Sequence, residues 1–295
     1  MLAQNFTSNS TSPGSGYILG GTSTMFNILD PLVPGRAVLM TSLGAVGQEG
    51  TVELNKTVDW LSTCACGTQG GGAVVTANFT TGAGSMGGDG VLLALVDSTV
   101  QTPGNTSYIT SSICGLAAVR PQHALILEFS TRDTTSCGAG GTPVDLRLVR
   151  TYDAATQPEV KELLHTLQPG AGVSCQPACT LAPYMYSGAW WEAQIFLPTD
   201  FQTDVQIFTD GQLRMTLLDN SYVPSSFYVL AAGRSSDGAT DRNGVANVHV
   251  DCVGNTKWGP DKNVAHQYYP SATVTTAAPR TMLLVAALLA LSALL

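Results

Sequence analysis

From Ile18 to about Trp258 the chain alternates short apolar runs with breaks rich in Gly, Pro, Ser, Thr and Asn. The pattern predicts strands at 36–42, 51–58, 73–81, 91–96, 124–130, 144–149, 190–197, 204–208, 212–218, 226–232 and 245–253. Some have period two: Leu213, Met215 and Leu217 alternate with Gln212, Arg214 and Thr216, as in a strand with one core-facing side. The run from Val91 to Val96 is apolar without a break, which fits a strand buried on both faces. Asp210-Gly211 predicts a hairpin turn. A single helix is expected at 157–167, where Thr156 and Glu159 form a capping box and Pro158 sits in the first turn. Its stripe of Val160, Leu163, Leu164 and Leu167 reads as core packing. With no internal repeat and no break in composition, residues 18–258 are expected to form one all-β antiparallel sandwich.

Composition narrows the setting. Charged residues make up 12% of the 295, with 13 basic against 21 acidic and a formal charge of −8. That charged fraction is about half of what a cytosolic enzyme carries. No basic run exceeds two residues, which argues against nucleic acid as a partner. Five N-x-S/T sequons, at Asn5, Asn9, Asn55, Asn78 and Asn105, point to a secreted glycoprotein. In "VVTANFTT" Asn78 alternates with Val75, Ala77 and Phe79, which would aim it away from the core. The seven cysteines (64, 66, 114, 137, 175, 179 and 252) fit disulfides in an oxidising compartment, and Cys175 with Cys179 could close a short loop. There are no paired CxxC knuckles to suggest zinc.

Residues 1–17 read as a disordered, glycosylated lead-in. They have neither the basic nor the apolar region of a signal peptide, so a secretory reading expects a leader upstream. Residues 282–295 are apolar apart from one Ser, shorter than the ~20 residues of a spanning helix. Upstream, within a linker at 259–281, lie the small residues Ser271, Ala272 and Thr273 and a spacer. That order matches the signal for a glycosylphosphatidylinositol anchor attached at Ser271, with a short tail anchor as the alternative; the former would place the protein at the cell surface on the membrane.

The order of the motifs resembles the L-type lectins, the concanavalin-like jelly rolls, over roughly residues 36–253. "AVVTANFTTGAGSMGGDGVLLALVD" is similar to that family's strand, loop and "DG" strand. "ICGLAAVRPQHALILEFST" resembles its glycine loop and "EFDT" strand, and "FYVLAAGRSSDGATDRNGVANVHVDC" its last loop and closing strand. The resemblance implies carbohydrate binding by Asp89, with Gly90 beside it, by Gly115, and by a specificity loop from Arg234 to Gly244 that includes Ser235 and Asp237. A carboxylate suits the role, because its two oxygens can accept from neighbouring sugar hydroxyls. The residues alone also allow Asp89 to be only a turn residue before Gly90.

The resemblance also implies a calcium site, and there the sequence departs from it. Ser130 stands where a ligand Asp is expected, Thr134 falls near a ligand Asn, and no His follows on "PVDLRLV". Glu128 and Asp133 remain as donors, too few for a cation that takes six or more oxygens. A disulfide from Cys114 or Cys137 is an alternative brace for the loops. Three functions follow: a cell-surface lectin that binds glycans or glycoproteins, a structural coat or adhesion protein that kept the fold without sugar binding, and a glycoside hydrolase. The last needs two carboxylates facing one cleft. "ILEFS" and "WWEAQ" each offer one, Glu128 and Glu192, so a non-enzymatic role is expected.

Overall fold

The apolar runs pair into two large antiparallel sheets packed face to face. The structure, a computed structural model, describes residues 16–28, 35–42, 47–64, 71–82, 90–113, 116–130, 145–152, 161–163, 173–175, 185, 187–199, 204–218, 220–235 and 242–254. Strands β1 (Tyr17–Gly21), β2 (Thr24–Ile28), β3 (Gly35–Thr41), β4 (Glu49–Leu54) and β5 (Val58–Asp59) precede a one-turn helix, α1 (Trp60–Thr63). Next come β6 (Gly71–Gly82), β7 (Gly90–Asp97), β8 (Tyr108–Ile113), β9 (Leu116–Pro121) and β10 (Ala124–Ser130). They are followed by β11 (Asp145–Thr151), β12 (Lys161–Leu163), β13 (Val173–Cys175) and β14 (Ser187–Pro198). The last are β15 (Val205–Thr209), β16 (Gln212–Leu217), β17 (Ser226–Arg234) and β18 (Asn243–Gly254). The front sheet has the order β1-β4-β17-β7-β10-β11-β12, with β5 also on β17; the back sheet runs β13-β16-β15-β14-β6-β18-β3-β2. Strands β8 and β9 form a separate hairpin.

Alternation decides what each strand buries. On β10, Leu125, Leu127 and Phe129 enter the core between the sheets, whereas Ala124 and Ile126 join a second cluster on the outer face. Strand β7 does the same, with Val91, Leu93 and Leu95 inward and Leu92, Ala94 and Val96 outward. The unbroken apolar run is therefore a strand covered on both faces, as its pattern predicts. Tyr108, from the β8–β9 hairpin, packs on that outer cluster. At the centre Phe79 and Trp191 of the back sheet meet Phe129 of the front, with ring centroids 4.5–5.9 Å apart. Trp190 lies on the opposite face of β14, against Ala37 and Ala246. The predicted hairpin turn is present, with positive φ at Asp210 and Gly211.

Two expectations are corrected. Inside the predicted helix 157–167, the described residues Lys161–Leu163 are strand β12, paired with β11 through Val149↔Leu163 and Thr151↔Lys161. An isolated helix of this length is marginal, and the open edge of β11 offers the backbone a ladder instead. Asn78 does point away from the core, but it is buried, and its Oδ1 accepts a hydrogen bond from Asn247 Nδ2 at 3.1 Å. The outer face of the back sheet leaves no room there for an oligosaccharide. Asn55 and Asn105 are exposed, while Asn5 and Asn9 lie outside the described residues. A disulfide joins Cys64 to Cys252 across a sequence separation of 188. Cys114, Cys137 and Cys179 are outside the described residues.

Truncating Phe129 to Ala removes the front sheet's share of the aromatic contact. It is expected to cost about 3–5 kcal/mol, read as a lower urea midpoint with an unchanged slope.

Candidate functional site

Register brings the ends of several strands together at one end of the sandwich. Gly90, which opens β7, pairs with Arg234, which closes β17, and Ser130 at the end of β10 pairs with Asp145. Gly90 is indispensable to this geometry. Its φ is +81°, and a Cβ would overlap the carbonyl oxygen of Phe129. The backbone of Arg242 reaches Gly82 O at 3.3 Å, which ties the start of β18 to the end of β6. Asn243, fully buried, donates through Nδ2 to Arg234 O at 3.0 Å and to Thr41 Oγ1 at 2.9 Å. One side chain thus closes the base of the 234–243 loop.

Of the residues expected to touch sugar, Gly90 and Ser235 are placed. Ser235 is buried, its backbone N–H donating to Gln48 O and its hydroxyl accepting from Gln48 N, each at 2.9 Å. Its side chain anchors the loop and is not offered to a ligand. Asp89, Gly115 and Asp237 lie outside the described residues, as does Asp133.

Glu128 is a buried, paired carboxylate. Ala232, Leu92, Glu128 and Arg147 form one continuous rung across β17, β7, β10 and β11. The carboxylate lies on the outer face and is 4% exposed. Arg120 of β9 grips it as a fork, Nε to Oε1 at 2.6 Å and Nη2 to Oε2 at 3.0 Å. Arg234 Nη2 approaches Oε1 at 3.5 Å, and its Nη1 donates to Val119 O at 2.6 Å. Burial alone would raise the Glu128 pKa. The charge of Arg120 and its hydrogen bonds, then Arg234 and Arg147, more than reverse this and hold the carboxyl at about 2. Glu128, already questioned as a metal ligand on sequence grounds, is taken up otherwise: both of its oxygens accept from guanidinium groups. Among the described residues no three His, Cys, Asp or Glu side chains gather to hold a metal ion. At Glu128, the described carboxylate of the expected donor set, a calcium ion does not fit, because the guanidinium groups occupy both oxygens.

No protein-family model matches the sequence, and no curated protein does. Solved structures match along most of the chain. The Lotus tetragonolobus seed lectin is 12% identical, with a TM-score of 0.52, over 86% of this chain and 98% of its own. The fold is that of the L-type lectins. The potassium-bound carbohydrate recognition domain of Emp46p shares this fold at 12% identity and a TM-score of 0.50, over 85% of this chain and 95% of that domain. So does the metal-free form of lectin I-B4 from Griffonia simplicifolia, at 10% identity and a TM-score of 0.50, over 85% of this chain and 98% of that one.

On this lectin fold the two carboxylates considered for hydrolysis lie apart. Glu128 faces out from the front sheet. Glu192, between the core residues Trp191 and Ala193 of β14, faces out from the back sheet. Glu192 has its own neighbour in Asp210, whose Oδ1 accepts from the Glu192 backbone N–H at 2.8 Å. Burial, and then the charge of Asp210, push the Glu192 carboxyl up to about 7. The folded state therefore holds a proton that the unfolded chain releases near pH 4.5. Stability should fall as pH rises from there to about 7, and then level off. Glu192→Gln should flatten that slope and gain on the order of 2–3 kcal/mol above neutrality, measured by chemical denaturation across pH.

Proposed function

We propose that the protein is a cell-surface lectin that binds glycans with the loops at the Gly90–Arg234 end. The observation that carries this reading is the fixed start of β7. Gly90 is held against Phe129 O and in register with Arg234, and Asp89 is the residue immediately before it. The backbone at Gly90 is fixed, and a carboxylate borne next to it suits a ligand that donates hydroxyls. Asp89 accepts sugar hydroxyls, and the 234–243 loop, closed by Asn243, sets specificity. Glu128 and Glu192, the two carboxylates considered for hydrolysis, lie on outward faces of different sheets, so they cannot act as a pair. The exposed Asn55 and Asn105, the apolar residues 282–295 and the small-residue window at Ser271 support a glycosylated form held at the membrane by a lipid anchor.

Glycan-array binding by the full chain tests the reading. Removal of a charged acceptor costs about 1.5–3 kcal/mol, so Asp89→Ala should weaken binding roughly ten- to a hundredfold at unchanged Tm. A lower Tm with binding intact would reduce Asp89 to a turn residue. No glycan bound by the wild type would leave the structural coat. The anchor predicts release from cells by phosphatidylinositol-specific phospholipase; mature protein that keeps residues 282–295 contradicts it.

A further inference from the structure

We propose that Arg120, backed by Arg147 and Arg234, takes the place of a divalent cation in this fold: it neutralises Glu128 and fixes strand β9 over the front sheet without metal. The geometry on both sides of the contact carries this. Glu128 rises from the middle of a rung of the front sheet, with Leu92 and Arg147 as its register partners. Arg120 comes down from the hairpin above, and its fork uses an N–H on each carboxylate oxygen. Arg234 forms a second bridge between the same two layers, because it reaches Glu128 with one nitrogen and the Val119 carbonyl with the other. Strand β9 is thus held at two successive residues, once through a side chain and once through its backbone.

A cation could not share this position. It needs six or more oxygen donors, and here both oxygens of the one carboxylate already receive N–H groups. Three guanidinium charges around it would also repel a further positive ion, most strongly where water is excluded. Arginine suits the task better than lysine, since its planar fork fixes direction as well as charge. The inference depends on the fold alone and holds whether or not the loops bind sugar.

The test combines thermal unfolding with amide hydrogen exchange on the full chain. Wild-type Tm should be the same with EDTA, with added calcium and with added manganese. Arg120→Met should lower Tm by on the order of 10 °C and speed exchange at 116–121 roughly tenfold or more, while β7 and β10 change less. Should Arg120→Met fail to fold, Arg120→Lys keeps the charge without the fork and should still speed exchange at 116–121. A wild-type Tm that falls with EDTA or rises with either cation would overturn the proposal. So would unchanged exchange at 116–121 in the folded variant. Neither readout involves a glycan, so failure here is distinct from failure of the lectin reading.

Discussion

An ionised carboxylate shut away from water has to find its counter-charge inside the protein, and the front sheet meets this constraint at Glu128. The sheet is covered on both sides, by the back sheet within and by the β8–β9 hairpin without. Apolar side chains meet that condition at no cost, which is why β7 and β10 are so nearly unbroken runs. Glu128 is the exception, and each neighbour that satisfies it comes from a different strand: β9, β11 and β17. The acid therefore works as a fastener between layers. Removing one partner from such a group costs far more than the contact seems to contribute. Glu53, on the same sheet, solves the same problem with neutral donors, accepting from Gly104 N, Thr106 Oγ1 and Tyr108 Oη. Two acids thus pin the overlying chain at separate points.

The sandwich was legible from the chain because its central strands announce themselves. Periodicity marked β6, β7, β10, β14, β16, β17 and β18, where alternation or continuous apolarity is strong. It missed β1, β2, β8, β9, β12 and β13. These are short or polar, like "YITSSI", or interrupted by residues such as the Pro that ends β9. Strands β8 and β9 pair with each other, whereas the strand character of β1, β2, β12 and β13 comes from a neighbour's open edge, a tertiary effect that no local window contains. The helix at 157–167 failed for the same reason, since β11 offered a partner.

The surroundings of the candidate site were less legible. The motif order pointed to Gly90 and the last loop, whose strand ends the register brings together, and left Glu128 only as a questioned metal ligand. A physical signal was available: in a chain with 13 basic residues, Arg120, Arg147 and Arg234 all fall inside or at the end of apolar stretches. Arginines set among core residues imply a buried acid, and "ILEFS" contains one. Asn243 gave no such signal. Its work, closing the 234–243 loop onto Thr41, joins residues 202 apart in sequence.

The disulfide between Cys64 and Cys252 bears on how this molecule withstands cleavage. It ties the end of α1, after the first five strands, to β18, the last strand in the chain, and so closes the stretch between them, a sequence separation of 188, into a covalent ring. Exposed connections between strands are in general the parts that a protease reaches first. One cut within that ring leaves both new ends still attached, by the bridge and by the sheets. The damage is a linearisation, and the two halves part only when a reductant and a denaturant act together.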